Sequence, residues 1–184
     1  PARHLLSMEK YIKAEFHHGG ENTGSRATSV ITSRGCQYRC NFCTAFKVFT
    51  RVPRMRSTDN VIKELQSLVD NYNVDEIYFE DDQIIAKQRH SAELFDAIRD
   101  NFNIRWDTPN GVSAWLLNDD ILRKMRDSGC YKVNLALESG NSYVLKEIIN
   151  KPVKLDRVPK LVQKIRKLGM TPSAFIVTGN IGNN

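Results

Sequence analysis

The sequence predicts an α/β fold in which strands and helices alternate around a parallel sheet. Three observations carry that prediction. Five short runs of strand character are separated by stretches whose apolar residues recur at helical spacing. Helix caps and breakers fall where such units would join. The polar clusters that stand out in the 184 residues each follow a strand directly, and sheets of this kind bind ligands beyond the C-terminal ends of their strands. Strands alternating with helices imply right-handed crossovers.

Residues 1–24 show no periodicity, and Gly19-Gly20 and Gly24 punctuate their end. They are expected to form a linker, with the core domain running over 25–184. His17-His18 reads as surface, because no acid or thiol stands at ligand spacing. Thr28-Ser29-Val30-Ile31-Thr32 is the first strand, and a basic stretch, Lys47 to Arg56, comes later. Ser57-Thr58 offers a helix cap, and Val61, Ile62, Leu65, Leu68 and Val69 form one apolar face that ends near Asn71. Glu76 to Glu80 is the second strand, followed by Asp81-Asp82, and Leu94, Phe95 and Ile98 mark the next helix. Ile104 to Asp107 is the third strand, turned by Thr108-Pro109-Asn110-Gly111. Asn118 caps a helix carrying Ile121, Leu122 and Met125, and Gly129 fits its C-terminal end. Lys132 to Leu137 is the fourth strand, followed by Glu138-Ser139-Gly140. A short helix over Tyr143 to Ile149 stops before Pro152. Val158, Leu161, Val162, Ile165 and Leu168 mark another, with Pro159 tolerable only in its first turn. Ser173 to Val177 is the fifth strand, with Ile176 and Val177 expected in the core.

Composition narrows the class. The chain is 41% hydrophobic, enough for a core, and its net charge of +6 is mild and dispersed. No basic–aromatic patch supports nucleic-acid contact, and no apolar run approaches the roughly 20 residues of a membrane span. Four cysteines without a secretory signal pattern point to free thiols in a reducing cytoplasm rather than a disulfide framework. The chain begins with Pro1 and is expected to be a piece of a longer protein, truncated at its C-terminal side.

Three of the thiols lie in Ser33-Arg34-Gly35-Cys36-Gln37-Tyr38-Arg39-Cys40-Asn41-Phe42-Cys43, at the end of the first strand. Cys36, Cys40 and Cys43 are candidate ligands of an iron–sulfur cluster or of zinc. A cubane held by three thiolates leaves one iron open to a small molecule. Structural zinc wants four closed ligands, and the remaining thiol, Cys130, precedes the fourth strand at the opposite end of the sheet. Cys130 reads as a small buried hydrophobe.

The cysteine spacing, with aromatic Phe42 before the last thiol, resembles the radical S-adenosylmethionine (SAM) superfamily. The resemblance implies a partial (βα) barrel of the radical SAM type, with about five of six βα units in this chain. It also implies a 4Fe–4S cluster on Cys36, Cys40 and Cys43, and reductive cleavage of SAM to a 5′-deoxyadenosyl radical that attacks unactivated carbon. A reductant such as flavodoxin or ferredoxin and a small-molecule substrate follow from it. The same resemblance makes Glu80, Asp81 and Asp82 candidates for the SAM amino group, without choosing among them. It gives Glu138 and Ser139 the ribose or methionine end of the cofactor, and it offers Lys151 to the methionine carboxylate, with a surface lysine as the alternative. It gives the fifth strand the adenine. Asn110-Gly111 is a turn signal by itself, and its position after a strand on the active face makes it a candidate for the pocket wall. Gly179 and Gly182 are similar to the family's following turn, but Ile181 and Asn183 depart from it.

Pro1-Ala2-Arg3-His4-Leu5-Leu6 with Tyr11, and Glu138-Ser139-Gly140 with Val144-Leu145-Lys146 and Lys151, are most similar to the cobalamin-binding branch. That branch implies cobalamin on a domain outside this chain, and methylation, cyclisation or another rearrangement. Two rivals stay open: a methylthiotransferase acting on tRNA or protein, and a non-catalytic zinc-stabilised interaction domain.

Overall fold

The computed structural model describes residues 1–14 and 26–179. The sequence features at His17-His18, Gly19-Gly20, Gly24, Ile181, Gly182 and Asn183 lie outside the described residues.

In chain order the elements are α1 (Met8–Lys13), β1 (Ala27–Val30), β2 (Ser33–Arg34), α2 (Ala45–Phe49), β3 (Arg54–Met55) and α3 (Thr58–Tyr72), then β4 (Glu76–Phe79) and α4 (Gln88–Asn101). They continue with β5 (Arg105–Asp107), α5 (Asp119–Asp127), β6 (Lys132–Glu138), a π-helical turn (Val144–Ile148), α6 (Val158–Lys167) and β7 (Thr171–Ile176). β1, β4 and β5 form one parallel ladder, and β6 and β7 another. Parallel bridges at Trp106–Cys130 and Val112–Leu135 join the two. The main strands therefore lie side by side in chain order, as the alternation predicts.

Each helix follows from local chemistry. Ser57 caps α3 by accepting from the Asn60 N–H at 3.3 Å, and Asn73 ends it in the left-handed conformation. Asn118 caps α5, its Oδ1 accepting from the Ile121 N–H at 2.9 Å. Gly129 closes that helix at φ +99°, where a side-chain carbon would stand 2.0 Å from the Ile104 carbonyl oxygen. Pro159 sits in the first turn of α6, the one place it does no harm.

The helices bury their apolar faces against one side of the sheet. Val30, Ile77, Phe79, Trp106, Val133 and Leu135 meet Leu65, Leu68, Phe95, Ile98, Met125 and Ile165 there. Trp106 is the centre, stacked on Phe95 at 5.1 Å and edge-on to Phe79 at 5.3 Å. Its indole N–H donates to the Ser128 carbonyl at 2.9 Å, which satisfies its one polar atom. The other side of the sheet is polar. Register sets Tyr78 beside Asp107, and the Tyr131 hydroxyl donates to Glu76 at 2.6 Å.

Four local features differ from the sequence expectation. Within the expected linker, α1 buries Met8 and Ile12, while Arg3 pairs with Glu64 at 2.7 Å and donates to the Ser29 carbonyl. The basic stretch holds α2 and β3, and β3 pairs antiparallel with β2. The short helix before Pro152 is wound as a π turn. Ile176 is exposed rather than in the core. These pieces are too short to show a period of their own.

Candidate active site

The three thiols sit on a loop held from two sides. On one side are the residues after β4. The Asp81 carboxylate accepts from the Thr32 N–H at 3.0 Å, the Thr32 hydroxyl at 2.8 Å and the Ser33 hydroxyl. It is 2% exposed, and burial raises its pKa against the pull of those hydrogen bonds. Asp82 accepts from the Gly35 N–H at 2.9 Å. Gly35 itself is required: at φ +94°, a side-chain carbon would stand 2.8 Å from the Val52 carbonyl oxygen. Two of the three consecutive carboxylates thus tie down the start of the cysteine loop. Glu80 is half-buried at the end of β4, its N–H bonded to the Val30 carbonyl.

On the other side is the segment after β6. The Asn41 N–H donates to the Ile149 carbonyl at 3.0 Å, and its side-chain amide donates to the Ile148 carbonyl at 2.6 Å. The Asn150 amide donates to the Arg39 carbonyl at 3.3 Å. The π turn and the cysteine loop are therefore stitched together.

Cys36, Cys40 and Cys43 are all free and partly exposed. Burial raises the Cys36 and Cys40 pKa values, and each is raised further by the charge of neighbouring cysteines. Lys151 opposes this at both. The thiols thus share one electrostatic environment with a buried cation beside them. Among the described residues, no three His, Cys, Asp or Glu side chains are placed to hold a single metal ion. A cubane makes a different demand, since each thiolate ligates a separate iron; the chemistry of this loop fits it. Phe42, within the motif, is 48% exposed.

Glu138 ends β6 at an irregularity in the β6–β7 pairing, with φ +72°, rare for a non-glycine residue. Its carboxylate accepts from the Lys151 ammonium at 2.6 Å, both side chains nearly buried. Ser139 is buried and accepts from the Asn141 N–H at 3.1 Å. Lys151 is not a surface lysine; its Nζ also lies 5.7 Å from the Trp115 ring centre. Trp115 donates to the Tyr38 hydroxyl at 2.7 Å and meets that ring edge-on at 4.8 Å. Tyr38 belongs to the cysteine loop. Tyr38 and Trp115 escaped the sequence reading, because neither carries a spacing signal and their partnership spans 77 residues.

The remaining candidates are dispersed. Asn110 is exposed in its turn. Gly111, at φ +80°, leaves no space beside the Phe175 ring and the Asn134 carbonyl. The Val177 N–H donates to the Glu138 carbonyl at 2.8 Å. Cys130 is buried, its thiol donating to the Lys132 carbonyl, and burial raises its pKa strongly. It takes no part in the site.

A βα sheet with a three-cysteine loop at the end of its first strand defines the class, and the chain belongs to the Radical SAM superfamily, whose family profile matches residues 30–184. It is 38% identical over 97% of its length to cytidylyl-2-hydroxyethylphosphonate methyltransferase of Streptomyces wedmorensis, covering 33% of that protein. It is 23% identical over 95% of its length to anaerobic magnesium-protoporphyrin IX monomethyl ester cyclase of Rubrivivax gelatinosus, covering 30% of it. Its fold matches the radical SAM methyltransferase TsrM from Kitasatospora setae with a TM-score of 0.77 at 19% identity, over 91% of this chain and 32% of that one. It also matches the cobalamin-dependent radical enzyme OxsB with a TM-score of 0.68 at 20% identity, over 80% of this chain and 23% of that one. The chain spans about a third of the length of the curated relatives it matches.

Proposed function

We propose that this chain is the core of a cobalamin-assisted radical SAM enzyme that methylates an unactivated carbon of a small molecule. The observation that carries the reading is the cysteine loop: three half-buried thiols, pinned by Asp81 and Asp82 on one side and by the π turn on the other. The 38% identical methyltransferase, and the cobalamin bound in the structures of TsrM and OxsB, support cobalamin over methylthiolation. When bound, a cluster supplies the electron that breaks the sulfonium carbon–sulfur bond of SAM.

Cys36, Cys40 and Cys43 would hold the cluster. Asp81 and Asp82 position their loop, and Glu80, half-buried at the end of β4, is the carboxylate assigned to the SAM ammonium. Glu138 and Ser139 present an acid and a hydroxyl to the ribose diol. Lys151 supplies the positive charge for a carboxylate and offsets the negative charge of the thiolates. Phe42, half-exposed within the motif, would contact the cofactor. The whole protein would take electrons from a flavodoxin- or ferredoxin-type donor in a reducing cytoplasm. No described helix is long and apolar enough to cross a membrane.

The test is anaerobic reconstitution of the full-length protein with iron and sulfide, followed by reduction and a search for 5′-deoxyadenosine from SAM. The expected result is 5′-deoxyadenosine from the native protein and loss of both cluster and product in Cys40→Ala. Full iron content in Cys40→Ala would remove the ligand assignment. A zinc-bound protein without affinity for SAM would restore the interaction-domain reading.

A further inference from the structure

A cleft of about 890 Å³ opens between the N-terminal ends of α5 and α6. That is within the range of small-molecule sites, roughly 300–1,000 Å³. Its walls mix apolar and polar side chains: Ala114, Leu122, Val153 and Leu161 supply the apolar part, with Trp115 as the aromatic surface. Its polar groups are mainly cationic. Lys164 is paired with Asp119 at 2.6 Å. Lys154, Arg157 and Lys160 also line the cleft and are exposed, and among the described residues no ion pair holds them. Asp156 is the remaining acid in the lining.

The cleft is coupled to the cysteine loop through one side chain. Trp115 lines the cleft and also donates to the Tyr38 hydroxyl, while Lys151 stands over its ring. A molecule seated in the cleft would therefore touch a residue that touches the loop.

A planar, partly apolar body suits an aromatic wall, and an anionic group suits three cations with no carboxylate of their own. We propose that this cleft binds the nucleotide part of the substrate, a cytidine ester of phosphate or phosphonate. The base lies against Trp115, and the anionic ester meets Lys154, Arg157 and Lys160. The 38% identical relative, whose name carries a cytidylyl phosphonate, supports this chemistry. The proposal rests on the reading above only in taking the substrate to be a small molecule, and it needs neither cluster nor reductant.

The experiment is a titration of the full-length protein with cytidine monophosphate, followed by tryptophan fluorescence and calorimetry, with cytidine and inorganic phosphate as separate arms. Trp106 is fully buried in the core, so Trp115 is the expected reporter within this chain. Trp115→Phe removes the ligand-dependent change in emission and sets its assignment in the full-length protein. The expected result is saturable binding that changes the emission, weaker for either half-ligand. The triple variant Lys154→Ala/Arg157→Ala/Lys160→Ala should weaken it at least about tenfold, as expected for charge-assisted contacts. Because these side chains are exposed, the triple variant should keep its melting temperature; Lys160→Glu alone, also weakening binding, repeats the test in a milder form. No saturable binding, or binding unchanged in both variants, overturns the proposal. Since the titration is read without SAM or reductant, its failure would leave the 5′-deoxyadenosine test standing, and the reverse holds too.

Discussion

Asp81, Asp82 and Glu80 are adjacent in sequence but sit in different surroundings, Asp81 buried and its two neighbours half-buried. Asp81 and Asp82 hold Thr32, Ser33 and Gly35 in place. Sequence marks all three carboxylates as special but cannot divide them, because the division depends on donors 47 to 49 residues away. A fourth acid, Asp107, gave no signal at all. It is fully buried, and neither carboxylate oxygen has a hydrogen-bond partner among the described residues. The Asn134 amide nearby spends a donor on the Thr108 carbonyl at 3.0 Å. Burial raises the Asp107 pKa to about 6, and Glu76 and Glu80 add to it; Lys132 and the nearby Asn134 amide pull against this. An unfolded chain releases this proton near 3.8, so between about pH 4 and 6 the folded state binds the extra proton. Stability from this group is therefore lost as pH rises through that window. Asp107→Asn should raise the melting temperature by about 2–6 °C at pH 8 and change it little near pH 4, as read by calorimetry. A lower melting temperature at pH 8 would mean that the carboxylate is structurally needed.

Among the elements, the amphipathic helices were legible because their periods run for about two and a half turns or more, and the caps Ser57 and Asn118 carry side-chain signals. The β2–β3 pair was not, because it joins two-residue segments far apart in the chain; the short helix before Pro152 was legible as a helix, though not its π winding. β6 shows both kinds of information. Its apolar alternation reads directly, while the buried Glu138–Lys151 pair at its end does not, since Lys151 looks like any loop lysine. Removing one partner of such a pair strands a buried charge. Glu138→Ala should cost about 3–5 kcal/mol of stability in urea unfolding, with Lys151→Met/Glu138→Gln recovering part of it. A loss below about 1 kcal/mol would mean that solvent already reaches the pair.

At the scale of the whole molecule, five strands in chain order place the cysteine loop, Glu80 and Glu138 at one end of a single parallel sheet. The strand pattern and the thiol spacing made that much readable from sequence. The Tyr38–Trp115–Lys151 link and the basic cleft required the fold, because their residues come from separate parts of the chain. The central claim is that three thiolates hold a cluster whose remaining iron accepts SAM. The most direct measurement is the low-temperature electron paramagnetic resonance spectrum of the reduced, reconstituted full-length protein, before and after SAM is added. A 4Fe–4S signal whose g values shift on adding SAM is the result this account predicts. A signal that SAM leaves unchanged would contradict it.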